Sequence, residues 1–395
     1  MDIYEPSEDS FLLKKHVSKF ALGRVLDMCT GSGIQAIEVS KHNLVREVVA
    51  VDINEKAIET LKEQKHKKIT PKQGDLFTNL SGQFDLIICN PPYLPQDKGI
   101  DDLALYGGKH GWEFTERFFQ EVSSYLTPKG KIIYLFSSLT NKEKVEEIFQ
   151  QNLYDFKELD QQKLSFETLY VYQLEKNDLR RELEKQHLKE ILYFNHGKRG
   201  NIYTAYLDKK DNVKSHFAKS ELFKVAIKTE RKESKAENRI QNEIKWLKIL
   251  NRKSIGPKLI FARDNYFVYP FVEGEFILGW IKDHDRREIQ NVLLKILKQC
   301  HVLDGLNVNK EELHRPHKHI LVNENQHPVM IDFERCYSTD KPSNVTQFTE
   351  FLARIQAELV QKGFSFTADK LRSSAKQYKQ HYQLEAFEEL VRIIN

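Results

Sequence analysis

No run of about 18 apolar residues occurs anywhere in the 395-residue sequence, so no transmembrane helix is expected. The first residues, Met1-Asp2-Ile3-Tyr4-Glu5-Pro6, lack a basic region followed by an apolar one, which argues against a secretory leader. A cytoplasmic location without membrane contact is therefore expected. Cysteine is scarce: Cys29, Cys89, Cys300 and Cys336 are scattered without CxxC spacing, which excludes a disulfide frame or a zinc knuckle in favour of free thiols. With 40% hydrophobic and 30% charged residues, the remaining class is a globular chain long enough for two or three domains.

The net charge of +4 conceals an asymmetry. Residues 1–178 carry 22 basic and 28 acidic side chains, and the remainder 39 and 29, so the two halves face different partners or one another. An acidic first half is a poor match for a polyphosphate substrate. The basic second half leaves room for contact with RNA or a ribosome.

The first half is organised around Asn90-Pro91-Pro92-Tyr93. The apolar run Phe84–Cys89 before it reads as a strand buried on both faces, and open α/β sheets bind ligands at the carboxyl ends of such strands. Pro91 pushes Asn90 out of the helical region and the two prolines fix φ. The Asn90 carboxamide and neighbouring carbonyls then form an acceptor pair into which a planar NH2 group can donate while Tyr93 lies against its face. Such a corner orients an amide or amine nitrogen towards a methyl donor, although Asn-Pro after a strand also marks ordinary turns.

The flanking elements repeat a strand-then-helix pattern. Tyr4–Leu13 reads as a helix start with acidic residues in its first turn. Arg24–Cys29 is a strand, Thr30-Gly31-Ser32-Gly33 a tight turn, and Ile34–His42 a helix, an arrangement in which glycines let the backbone approach a ligand. A second strand ends in Asp52, where a carboxylate can accept from ribose hydroxyls. A helix over 54–66 and a short strand to Asp75 follow, and the Asp75 carboxylate can accept from an adenine amino group. A loop containing Tyr106-Gly107-Gly108-Lys109-His110-Gly111 looks flexible enough to cover a site. Helix 112–126, strand 131–136 and helix 141–151 lead to Lys157–Ser165 and Thr168–Leu174, which can pair as an antiparallel hairpin at the sheet edge. A nicotinamide enzyme shares much of this pattern, and Ala36 in place of the third fingerprint glycine decides little.

The terminal hairpin and the tetrapeptide together resemble class I S-adenosylmethionine methyltransferases. The stretches Tyr4–Leu13, Asn90–Tyr93 and Gly107–Gly111 resemble, more narrowly, the HemK/PrmC group in its archaeal and eukaryotic branch, which methylates the glutamine of the Gly-Gly-Gln motif in translation release factors. The resemblance covers nearly all of residues 1–175. It implies that Ser10, Asp27, Gly31, Gly33, Asp52, Asp75 and Asn90 surround S-adenosylmethionine, and that Asn90, Pro91, Pro92 and Tyr93 hold the glutamine amide, with Asn90 and Tyr93 catalytic. It also implies a release factor as partner and, as in eukaryotic members, a small zinc-binding activator subunit. An alternative is a nucleic-acid adenine or guanine N-methyltransferase, since the tetrapeptide also serves base amino groups; the acidic first half counts against it.

In the second half, Asp178–Phe194 reads as a charged connector helix between a first domain at 1–177 and a second at 195–395. The segment Asn195–Asn201 lies between strand-like runs as a glycine hairpin. Phe223–Lys228 is a strand and Ala236–Leu250 a helix whose Glu243 is spaced to pair with Lys228. Tyr266–Val272 reads as a strand, 286–303 as a helix, and Val329–Glu334 carries Asp332. This order resembles the protein-kinase-like superfamily, in particular small atypical archaeal kinases akin to the RIO and Kae1-associated groups, over about 185–340. The resemblance implies a two-lobed α+β domain with Gly197, Gly200, Lys228 and Glu243 at ATP, Mg2+ on Asp332 and His319, and Ser/Thr phosphorylation. The catalytic loop departs from the family: His319 stands where the metal-binding asparagine belongs, and Glu312 is the nearest candidate for the catalytic carboxylate. A nucleotide- or RNA-binding module without phosphotransfer is the alternative.

Overall fold

A computed structural model describes residues 2–97, 104–196, 200–208, 222–230 and 239–394. The chain divides into two units, Met1–Tyr193 with Ala205–Leu222 and Phe194–Thr204 with Phe223–Asn395. Among the described residues no helix is long and apolar enough to cross a membrane.

In the first unit the elements run α1 (Glu8–Val17), β1 (Gly23–Met28), α2 (Ile34–Ser40), β2 (Val45–Asp52), α3 (Glu55–Glu63), β3 (Ile69–Gln73), β4 (Phe84–Cys89), α4 (Glu113–Tyr125), β5 (Leu126–Ser137), α5 (Lys142–Gln151), β6 (Tyr154–Lys163), β7 (Thr168–Lys176) and α6 (Asp178–Lys185). The sheet order is β3-β2-β1-β4-β5-β7-β6. The first five strands are parallel, and β7 runs antiparallel to both β5 and β6. This is the mixed Rossmann-like sheet with a terminal hairpin that the strand pattern predicts.

The β4 run is apolar at successive positions because both faces are covered. Ile87 and Cys89 pack with Leu26, Phe118 and Phe119 on one side, whereas Leu86 and Ile88 pack with Val25, Leu13 and Ile133 on the other. Each fully buried aliphatic side chain of this kind contributes about 1.5–3 kcal/mol. The chain leaves β1 towards β2 and β3 and returns to β4 on the opposite side of β1, so the strand order reverses between β1 and β4. A crevice opens at such a reversal, beyond the carboxyl ends of the strands.

The connector helix expected over 178–194 ends much earlier. Asn177 caps α6 by accepting from the Arg180 N–H, but His187 and Glu190 take positive φ, and the chain continues as strand β8 (Leu188–His196). Nor is α6 a free connector. Arg180 and Leu183 are buried, and the Lys176 ammonium donates to Glu184 at 2.7 Å and to the carbonyls of Ser123 and Leu126. The charges that read as those of a connector in the sequence belong to a docked helix of the first unit.

The remaining elements are β9 (Gly200–Asp208), β10 (Leu222–Glu230), α7 (Arg239–Leu250), β11 (Phe261–Ala262), β12 (Tyr266–Pro270), β13 (Glu275–Phe276), α8 (Ile277–Asp283), α9 (Arg286–Gly305), β14 (Val308–Asn309), β15 (Ile320–Val322), β16 (Pro328–Met330), β17 (Tyr337–Ser338), α10 (Asn344–Arg354), α11 (Gln356–Gln361), α12 (Ala368–His381) and α13 (Leu384–Ile394). A five-stranded sheet has the order β11-β12-β10-β9-β8, with α7 between β10 and β11 in the chain. Helix α9 starts at a capping box, Asp285 with Glu288, and buries Leu293, Leu297 and Cys300 against Phe348 and Leu352 of α10. Within the second unit β12 pairs antiparallel with β10 and with β11, and a helical body follows.

Candidate functional site

A cavity of about 430 Å³ lies at the carboxyl ends of the first unit's strands. Ser10, Gly31, Asp52, Asp75, Asn90, Pro91, Pro92 and Tyr93, all singled out in the sequence, line it. Asp52 ends β2 with both carboxylate oxygens engaged, Oδ2 accepting from the Gly31 N–H at 2.8 Å and Oδ1 from the Asn54 N–H at 2.9 Å. This draws the glycine turn over the strand end, with Gly31 at φ +52°. Asp75 differs from expectation in one respect: its Oδ2 accepts from Arg117 of α4 at 2.6 Å. Arg117 also lines the cavity.

Asp27 and Gly33 do not line the cavity. Asp27 is 1% exposed beneath the turn, where its Oδ2 accepts from Thr30 Oγ1 at 2.6 Å and the Ala36 N–H at 3.0 Å. Burial pushes its carboxyl up to about 7, against those two hydrogen bonds. Gly33 ends the turn at φ +82°, and a Cβ there would lie 2.6 Å from Leu61 Cδ1. Both residues therefore shape the loop rather than face the cavity.

At the tetrapeptide, Asn90 Nδ2 donates to Asp9 Oδ2 at 2.9 Å, and the Tyr4 hydroxyl donates to the same oxygen at 3.0 Å. Asn90 Oδ1 is buried and has no hydrogen-bond partner among the described residues. Burial, with the Asp9 charge behind it, pushes the Tyr93 hydroxyl well above the tyrosine range, so Tyr93 is neutral at physiological pH. Its carbonyl accepts from Thr140 Oγ1 at 3.0 Å.

The glycine loop lines the cavity through Tyr106, Gly107 and Gly108, as expected of a cover, and main-chain contacts tie it down. Leu94 N–H donates to the Leu105 carbonyl at 2.9 Å and Gly107 N–H to the Leu94 carbonyl at 3.0 Å. A Cβ on Gly107 would lie 2.5 Å from the Pro92 carbonyl oxygen, and one on Gly111, at φ +89°, would lie 2.4 Å from that of Tyr93. Glycine is required there because main chain packs on main chain.

A second polar cluster lies in the second unit. Lys228 Nζ on β10 donates to Glu243 Oε2 on α7 at 2.6 Å and to Asp332 Oδ1 at 3.0 Å. Glu243 Oε1 accepts from the Phe333 N–H at 3.0 Å. Asp332 sits at φ +64°, a backbone region that costs about 1–3 kcal/mol for such residues and collects at functional sites. Burial works to raise the Asp332 carboxyl, yet Lys228 and Lys310 hold it down at about 2. Lys310, which has no distinctive sequence signal, is fully buried and donates to the Asp332 carbonyl and, at 3.3 Å, to Glu312 Oε2. Gly200 packs on β10, a Cβ there falling 2.7 Å from the Thr229 carbonyl oxygen. Gly197 lies outside the described residues.

His319 Nδ1 is 3.7 Å from Asp332 Oδ2. Burial and the nearby Lys310 lower the His319 pKa, so the ring is neutral at physiological pH. Among the described residues no group of three or more His, Cys, Asp or Glu side chains is arranged to hold a metal. Asp332 and His319, the residues expected at Mg2+, lie side by side in this cluster.

Three residues escaped the sequence reading as site components: Asp9, Arg117 and Lys310. Asp9 had a signal, a carboxylate in the first turn of α1, but such residues are common helix starts and its partner lies 81 residues away.

Comparison with known proteins covers this first unit. The Methyltransferase small domain family matches residues 7–163. The protein named "Putative protein N5-glutamine methyltransferase" of Methanocaldococcus jannaschii is 39% identical over 149 residues, 36% of this chain and 75% of that protein. The release factor glutamine methyltransferase of Streptococcus pneumoniae is 31% identical over 142 residues, 33% of this chain and 50% of that one. Among solved structures, the E. cuniculi Mtq2–Trm112 complex, responsible for methylation of the eRF1 translation termination factor, is 27% identical with a TM-score of 0.38, covering 45% of this chain and 100% of the matched one. Through these N-terminal residues the chain belongs to the Methyltransferase small domain family.

Proposed function

We propose that the first unit transfers a methyl group from S-adenosylmethionine to the side-chain amide nitrogen of a glutamine, with the Gly-Gly-Gln loop of a translation release factor as substrate. The observation that carries this reading is that Asn90, whose buried Oδ1 has no partner among the described residues, lines the cavity beside Pro91, Pro92 and Tyr93. An unmet buried acceptor costs about 1–3 kcal/mol, recovered when an N–H donor arrives. The cofactor's adenosyl part fits along Gly31, Asp52 and Asp75, and it supplies a methyl group on a sulfonium. An amide nitrogen is a weak nucleophile, so catalysis rests on orienting it and accepting its N–H groups. Asn90 accepts one, the main chain of the Pro91–Pro92 segment offers a second acceptor, and the neutral Tyr93 ring walls the corner. The new N–C bond forms as the S–C bond breaks, and the nitrogen gives up one proton to solvent.

The experiment is incubation with labelled S-adenosylmethionine and a release factor, its Gln→Ala variant, tRNA or DNA. Label on the release factor that vanishes in the variant supports the reading, and label on nucleic acid replaces it with base N-methylation. Repeating the assay with a co-expressed small zinc-binding subunit tests for an activator.

For the second unit, the Lys228–Glu243–Asp332 cluster favours nucleotide binding, and we propose ATP-dependent Ser/Thr phosphorylation with Glu312 accepting the hydroxyl proton. Labelled ATP with wild type, Lys228→Ala and Asp332→Ala distinguishes transfer from binding alone. The excess of basic residues after position 178 makes RNA the competitor ligand to include.

A further inference from the structure

We infer that Asp9 is a positioning residue which fixes the end of the Asn90 carboxamide that faces the reacting nitrogen, and so selects glutamine over glutamate; this rests on the glutamine reading above. A carboxylate only accepts hydrogen bonds. The Asn90 group 2.9 Å from Asp9 Oδ2 is therefore the NH2, and the carboxamide cannot turn over without setting oxygen against oxygen. Oδ1 is left on the other side, buried and without a partner among the described residues.

Asp9 is itself held. It is 4% exposed, its Oδ2 also accepts from the Tyr4 hydroxyl, and its Oδ1 accepts from the Ser10 N–H and, at 3.2 Å, from Ser10 Oγ. Tyr4, Asp9, Ser10 and Asn90 all line the same cavity. A chain of fixed donors thus runs into Asp9, and its last member is the Asn90 NH2. The end of the carboxamide left over for a substrate is the acceptor oxygen in every arrangement that satisfies this chain. A glutamine NH2 donates to it, whereas a glutamate carboxylate of the same shape brings only acceptors and is refused.

Three variants test this: Asp9→Asn, Asn90→Asp, and the exchange Asp9→Asn/Asn90→Asp. Read-outs are kcat and KM on a release factor, the cofactor Kd by calorimetry, and thermal melting. Asp9→Asn frees the Asn90 carboxamide to present either end, and kcat should fall on the order of 10²-fold, with cofactor Kd and Tm near wild type. Asn90→Asp sets two carboxylates against each other and should fall further. In the exchange variant the amide introduced at position 9 donates to the carboxylate introduced at position 90, whose free oxygen faces the nitrogen. Its kcat should exceed that of Asn90→Asp by about 10-fold or more, a non-additivity that a purely structural Asp9 would not produce. Wild-type kcat in Asp9→Asn, or no recovery in the exchange variant, overturns the inference. A wild type that binds cofactor but methylates no glutamine overturns the substrate reading itself, and this inference with it.

Discussion

The two polar centres of this chain are built on opposite principles. Around Asn90 the working groups are a neutral carboxamide, a neutral phenol and main-chain carbonyls, held by packing: two prolines, two close-packed glycines and one carboxylate behind. Around Lys228 they are charges, two acids and a cation within 3.0 Å, with a second buried cation at the backbone of Asp332. The first centre is specified by shape and donor–acceptor polarity, the second by charge balance. Removing one member should therefore cost the first its chemistry and the second its stability.

The sharpest test of that contrast is Asn90→Ala, which should lower methyl transfer by about 10³-fold while leaving cofactor Kd within a few-fold. Equilibrium binding and single-turnover transfer, measured side by side, check both halves. Lys228→Met should do the reverse. It leaves Glu243 and Asp332 facing each other with Lys310, at the Asp332 backbone, offsetting part of their charge, which is expected to destabilise the second unit by about 3–5 kcal/mol. Denaturant unfolding followed by Trp fluorescence, compared with unaltered cofactor binding, would check it.

Asp27 tests whether the first centre is free of charge effects. Its folded pKa is raised from 3.8 to about 7, so its contribution to stability is fully present below about pH 4 and is lost as pH rises towards 7. Asp27→Asn keeps an oxygen acceptor for the Thr30 hydroxyl and the Ala36 N–H and cannot ionise. The slope of stability against pH over that interval should flatten, by up to roughly 4 kcal/mol across it. Denaturant midpoints at pH 4, 5.5 and 7 give the answer. The smallest change is expected from Gly111→Ala, whose Cβ meets the Tyr93 carbonyl: about 1–3 kcal/mol of stability. The accompanying loss of methyl transfer should exceed any loss of cofactor affinity.

What could be read from the sequence was whatever local pattern fixes. The β4 run, the proline-locked tetrapeptide and the carboxyl-end position of Asp52 follow from periodicity and backbone chemistry alone, and the parallel sheet with its terminal hairpin follows from their order. Asp9 could not be read because its role exists only through a contact spanning 81 residues. Asp27 misled because a strand-end carboxylate looks the same whether it faces a ligand or holds a turn from below. In 178–194 a helical pattern of leucines continued past the point where His187, at positive φ, turns the chain into β8. Likewise the glycines of the 107–111 loop signal freedom in sequence and confinement in structure, since glycine serves both.

That confinement bears on compounds aimed at the cavity. Where Gly107 and Gly111 abut Pro92 and Tyr93, the wall is peptide backbone, whose contour no single side-chain exchange can redraw without unseating the loop. An inhibitor extended from an adenosyl core into this corner would have its footprint set by the trace of the chain, leaving resistance few substitutions through which to arise.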